Sequence, residues 1–224
     1  MNFKMYEHNK NPFGINYGVF YPDNYHNIPL LVYLHGAGER GVDYSHIYRH
    51  AVPRLISEGA EIPAVVLCPQ CPATCVWDNI VSTVKSVIDS VVEEYGILPD
   101  RIALCGSSMG GYGTFAMGLA YRSFFSCICP VSGGGMSWRA PNLRTTPVFA
   151  YHGALDTLVP PICSELMVNA INAAGGRASL TILEEYEHND AINYVFKSTD
   201  LIEKALSCRR EDFSEIPEFC SECF

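Results

Sequence analysis

The sequence predicts a single α/β domain, residues 1–224, with a mostly parallel central sheet and helices on both faces. Three observations predict it. Short, β-rich apolar runs alternate with helical patterns along the chain. The length of 224 residues and the 48% hydrophobic content suffice for one compact core. No repeat or low-complexity linker divides the chain.

The strands are expected at 16–21, 30–35, 64–68, 101–106, 125–131, 148–152 and 178–183. Their near-continuous apolar character fits a sheet buried on both faces. The clearest helix is 79–95, where Ile80, Val81, Val84, Val87, Ile88, Val91, Val92 and Tyr95 recur at three- and four-residue steps. Asp78 stands just before it, where a carboxylate can cap the first turn. Further helices are expected at 110–121, 161–174 and 199–207, with Gly175 and Gly176 stopping the one at 161–174. The tail 211–224 mixes acidic residues with Phe213, Phe219 and Phe224. It is expected to pack on the body or on a second subunit, which leaves a homo-oligomer open.

Composition removes several functions. A net charge of −9 with no Lys/Arg run offers no footprint for nucleic acid. No stretch approaches the roughly 20 apolar residues of a membrane span, and the N-terminus lacks a signal-peptide core, so a cytoplasmic location is expected. There the ten cysteines are expected to be reduced. A zinc site from Cys68, Cys71, Cys75, Cys220 and Cys223 is conceivable on CxxC spacing, but these thiols read more simply as buried or incidental. His46 and His50 lack the Glu of an HExxH pair and read as surface residues.

The chemistry concentrates around Gly106-Ser107-Ser108-Met109-Gly110. This GxSxG follows a predicted strand and opens a predicted helix, the context in which a serine is thrust out on a tight turn. The turn is too crowded for side chains two positions either side, which is why Gly106 and Gly110 flank the serine. Ser108 is the candidate nucleophile, and Ser107 is misplaced within the motif. A hydroxyl needs a base to attack at neutral pH, and the base needs an acid to orient it. His152 and His188 are the histidines downstream. His152 precedes the plausible acids and reads as structural or as part of the rim. His188, expected in a loop after the last strand, is the candidate base. Asp156, after strand 148–152, is the candidate acid, whereas Asp190 is too near His188 in sequence, and Glu184, Glu185 and Glu187 read as solvated. Two backbone donors for an oxyanion are expected from Met109 and from the glycine-rich segment 35–41, with Ala37 preferred and Gly38 next.

The segments LHGAGERG at 34–41, VVLCPQCP at 65–72, Trp77, DRIALCGSSMGGYGTFAM at 100–117, HGALDTLVP at 152–160 and EHND at 187–190 together resemble the α/β-hydrolase superfamily. Within it they are similar to the phospholipase/carboxylesterase and feruloyl-esterase-like groups, including polyhydroxyalkanoate depolymerase-like esterases and predicted peptidases. The resemblance implies the α/β-hydrolase fold and hydrolysis of a small-molecule carboxylic ester through an acyl-enzyme on Ser108, Asp156 and His188, with no metal or organic cofactor. It also places Gln70 and Trp77 near the pocket, beside their plainer readings as a loop amide and a core aromatic. Enzymes of the feruloyl type are often secreted and larger, so an extracellular polymer is not the expected direct substrate.

Only 48 residues separate Ser108 from Asp156, leaving no room for a large lid and favouring short-chain or aromatic acyl esters, feruloyl or acetyl esters of small sugars among them. A serine peptidase or an acyltransferase would use the same triad. A non-catalytic binding protein would not need nucleophile, acid and base in this chain order.

Overall fold

The computed structural model describes residues 1–210. Among the described residues eight strands form one sheet: β1 Asn2–Tyr6, β2 Tyr17–Tyr21, β3 Leu30–Leu34, β4 Val65–Pro69, β5 Ile102–Ser107, β6 Cys127–Val131, β7 Val148–Gly153 and β8 Ala178–Leu183. Their order is β1-β2-β4-β3-β5-β6-β7-β8. β1 and β2 are antiparallel additions at one edge, and the rest of the sheet is parallel.

Six α-helices of the described residues cover it: α1 Ala51–Ser57, α2 Val81–Tyr95, α3 Met109–Ala120, α4 Ile162–Ala173, α5 His188–Ser198 and α6 Leu201–Ser207. Strand alternation sorts the core into two layers. Leu30, Val32 and Leu34 face one layer with Val84, Val87, Ile88 and Val91 of α2, Phe115 of α3 and Met167 of α4. Leu31 and Tyr33 face the other, with Val52 of α1, Ile192, Val195 and Phe196 of α5, and Leu201 of α6. No described helix is long and apolar enough to cross a membrane.

Several expectations are corrected. β1 is an edge strand whose NFKMY carries no apolar run and is largely exposed, so periodicity did not mark it. α1 and α5 were also unmarked; α5 packs Ala191, Ile192, Val195 and Phe196 at helical spacing, on a segment whose polar residues mask the pattern. Asp78 does not cap α2. The chain first makes a 3-10 turn at Trp77–Ile80, so α2 begins behind Ile80, and it is Asn79 that accepts the Val76 N–H at 3.1 Å. Burial of Trp77 sets that turn, because its side chain fills the space that a Cβ on Gly113 would need.

Cys68 packs in one core layer and Cys71 in the other, which separates two of the cysteines considered for zinc; Cys220, Cys223 and the tail 211–224 lie outside the described residues.

Candidate active site

Ser108 sits between β5 and α3 with φ 56° and ψ −120°, a left-handed conformation that L-residues avoid. Backbone close-packing enforces it. A Cβ on Gly106 would strike the Gly110 carbonyl, and one on Gly110 would strike that of Leu34. The Ser108 N–H donates to Val131 O (2.9 Å), and its carbonyl accepts from Tyr112 (3.1 Å). The side chain is left partly exposed at the carboxyl edge of the parallel strands. Ser107 points into the molecule, buried, with its Oγ 2.9 Å from the Tyr33 hydroxyl.

His188 is the first residue of α5 rather than part of a loop, with Glu187 at the N-cap. Its Nε2 lies 2.8 Å from Ser108 Oγ and its Nδ1 2.5 Å from Asp156 Oδ2. An ionised carboxylate only accepts, so Nδ1 carries the proton and Nε2 faces the serine hydroxyl as acceptor. Asp156 is 4% exposed. Its other oxygen, Oδ1, accepts the N–H groups of Leu158 (3.0 Å) and Val159 (2.8 Å), which fixes the carboxylate on its own loop.

His152 is fully buried and not part of a rim. Its Nε2 donates to the Val159 carbonyl (2.8 Å) and lies 3.3 Å from Asp156 Oδ2, while its Nδ1 lies 2.7 Å from Ser164 Oγ. Burial, the largest effect, holds its pKa below the ordinary histidine value. The ring thus packs as a buried brace behind the Asp156 carboxylate.

The segment after β3 shows a regular pattern. The carbonyls of His35 to Glu39 each accept a side-chain donor: Trp77 Nε1 on His35 (2.9 Å), His35 Nδ1 on Gly36 (2.6 Å), Arg40 Nε on Ala37 (3.1 Å), Arg49 Nη1 on Gly38 (2.8 Å) and Gln70 Nε2 on Glu39 (3.0 Å). In a planar trans peptide the C=O and the following N–H point opposite ways. The Ala37 N–H is thus aimed away from the His35 ring. Ala37 opens a 3-10 turn and Met109 opens α3, positions whose N–H groups have no intrahelical acceptor.

His35 is itself fixed. Its Nε2 accepts the Cys71 N–H (2.9 Å), so its proton must be on Nδ1, and burial lowers its pKa to about 4. Glu39 is also buried, with its carboxyl pKa raised chiefly by desolvation. A Cβ on Gly36 would lie 3.2 Å from a Glu39 carboxylate oxygen and 3.6 Å from Ser108 Cβ, so the two side chains flank one glycine.

Gln70 and Trp77 are both buried behind this loop rather than lining an open pocket. Gln70 also donates to Asp43 O (2.7 Å) and accepts from Asn16 Nδ2 (3.1 Å). The bracing residues His35, Glu39, Asn16, Arg49 and Ser164 escaped sequence reasoning, because none belongs to a catalytic motif. The one available signal was that His35 and Glu39 lie inside the glycine-rich segment.

The phospholipase/carboxylesterase family profile matches residues 75–205. A bifunctional acetylxylan esterase/xylanase, XynS20E, from Neocallimastix patriciarum is 29% identical over 147 residues, which are 63% of this chain and 21% of that protein. Among solved structures, a thermostable esterase superposes with TM-score 0.76 at 25% identity, over 93% of this chain and 63% of that one. The feruloyl esterase module from Clostridium thermocellum, solved as an S954A mutant with sinapinate, gives TM-score 0.67 at 17% identity, over 88% and 85%. The chain thus spans about a fifth of the curated relative and less than two thirds of the thermostable esterase.

Proposed function

The chain belongs to the phospholipase/carboxylesterase family, and on that premise we propose that it hydrolyses carboxylic esters through Ser108, His188 and Asp156. The observation that carries the reading is the hydrogen-bonded chain from Ser108 Oγ through the His188 ring to Asp156, anchored on a left-handed serine. His188 Nε2 takes the hydroxyl proton as Ser108 Oγ attacks the ester carbonyl, and Asp156 holds the imidazolium that forms. The N–H groups of Ala37 and Met109 receive the negative charge that develops on the carbonyl oxygen. The alcohol leaves with the proton from His188, and water then attacks the acyl-serine by the same route in reverse. This chemistry requires no metal or organic cofactor.

The substrates proposed are short-chain or aromatic acyl esters, feruloyl and acetyl esters of small sugars among them. Support comes from the absence of a large lid insertion between Ser108 and Asp156, and from the names of the relatives, an acetylxylan esterase and a feruloyl esterase module. The test is a side-by-side assay of p-nitrophenyl acetate, methyl ferulate, a long-chain p-nitrophenyl ester and matched amides. Turnover of the first two above the others is expected. Faster cleavage of the amides would replace the esterase reading with a peptidase.

A further inference from the structure

Glu39 is a buried carboxyl that takes no part in the proposed reaction. It closes the 3-10 turn Ala37–Glu39, whose first residue carries a proposed oxyanion donor, and it is 3% exposed. Its carboxylate accepts the N–H of its own residue. At the other end of the same peptide, Arg49 Nη1 donates to Gly38 O (2.8 Å). The C=O and N–H of a planar trans peptide point opposite ways. The Gly38–Glu39 peptide is therefore gripped from both sides, by the guanidinium of an exposed residue and by a buried carboxylate. Gln70 Nε2 on the Glu39 carbonyl (3.0 Å) holds the next peptide.

The carboxylate also stands next to the nucleophile. A Cβ on Gly36 would meet Glu39 Oε2 at 3.2 Å and Ser108 Cβ at 3.6 Å, so both side chains border the space that this glycine leaves free. Burial raises the Glu39 pKa, and the nearby His50, Arg49 and His46 oppose that rise. Placing a carboxylate under cover is costly, and an apolar side chain would avoid the cost. It would also leave the Glu39 N–H without this acceptor. An ionised acceptor makes a stronger hydrogen bond than a neutral one, which gives the buried charge a use that packing alone does not supply. The use lies close at hand, because an oxyanion site stabilises charge only where its donors are fixed before the charge develops.

We propose that Glu39 is a positioning residue for the oxyanion site: with Arg49 it clamps the Gly38–Glu39 peptide and so holds the Ala37 N–H in place beside Ser108. Glu39 touches neither the substrate nor the reacting atoms and acts through the turn. The proposal rests on the esterase reading for its consequence in catalysis, whereas the clamp itself is measurable without turnover.

The test compares Glu39→Ala, Glu39→Gln and Arg49→Met. Glu39→Ala removes the inner acceptor and is expected to lower kcat on p-nitrophenyl acetate about 100-fold, the scale of losing one oxyanion donor, with KM within about threefold of the parent. Glu39→Gln keeps an amide oxygen that can accept the N–H, and is expected to restore kcat to within about tenfold of the parent. Arg49→Met releases Gly38 O and is expected to lower kcat about tenfold. Because it alters an exposed residue, it keeps the test valid if Glu39→Ala fails to fold. Hydrogen exchange of the segment 36–41, read by mass spectrometry, reports the clamp alone. The Glu39 amide is expected to exchange at least about tenfold faster in Glu39→Ala than in the parent, and near the parental rate in Glu39→Gln. Parental kcat in Arg49→Met or in folded Glu39→Ala, or a loss carried by KM, would overturn the assignment, and so would unchanged exchange. A parent that turned over no ester, with the exchange pattern as expected, would overturn the esterase reading and leave the clamp standing.

Discussion

The serine turn and the loop opposite it are built by different means. At the turn, backbone presses on backbone: Gly106 against Gly110, Gly110 against Leu34, and Gly111 against Val131 and Gly133. In the loop after β3, side chains hold the carbonyls, and the donors come from Arg40 and Arg49 nearby and from Gln70 and Trp77 more than thirty positions away. Steric constraint of the first kind is local and leaves a readable signature of glycines around a serine. Restraint of the second kind depends on which distant residues the fold brings together, and it leaves no spacing to read.

This contrast predicts a graded response to substitution. Asp156 belongs to the local type, since Leu158 and Val159 on its own loop fix it. Asp156→Asn is expected to lower kcat by about 10⁴, because an amide N–H facing His188 Nδ1 selects the wrong tautomer. Steady-state kinetics on p-nitrophenyl acetate checks this, and a loss of less than tenfold would remove Asp156 from the role. Gly110→Ala comes next. The added methyl meets the Leu34 carbonyl, which has no rotamer to change, so a cost above about 4 kcal/mol or failure to fold is expected. A urea midpoint near that of the parent would show that the turn is less constrained than its packing implies.

The loop responds to pH. His35 has a folded pKa of about 4, below the ordinary value of 6.5, because burial disfavours its charged form. Its contribution is therefore complete above about pH 6.5 and is lost as pH falls towards 4, as the unfolded chain takes up a proton that the native ring refuses. The loss is about 3 kcal/mol, and His152 acts in the same direction. Urea titrations at pH 7 and 4.5 should show a smaller difference in His35→Asn than in the parent; equal differences would contradict the assignment. The smallest effect is expected for Gln70→Ala, which frees the carbonyls of Glu39 and Asp43. A destabilisation of about 1–3 kcal/mol is expected, with kcat falling more than KM as the loop loosens. A change confined to KM would mean that Gln70 acts on substrate binding alone.

The same contrast explains what the sequence disclosed. The parallel strands were legible because each is a short apolar run, and 178–183 coincides with β8. Ser108, Asp156 and His188 were legible from one motif and from chain order, and the structure brings the three within hydrogen-bond distance. β1 was not, because an exposed edge strand needs no apolar pattern. Asp78 carried the residue type of a cap, but the tertiary requirement to bury Trp77 displaced the helix start. His152 read as structural or as part of the rim from its place before Asp156, and which of the two holds, its burial against that carboxylate, follows from the path of the loop between them. Of the site's support, the glycine packing could be read, whereas the Asn16–Gln70 pair, 54 positions apart, required the fold.

The central claim is that Ser108 is an activated nucleophile, and the most direct measurement is reaction of the purified protein with a fluorophosphonate probe followed by mass spectrometry of the adduct. The account predicts a single phosphonylated site at Ser108, slower labelling in Asp156→Asn, and none in His188→Ala. Labelling at another residue, or an unreactive Ser108 in folded protein, would contradict it.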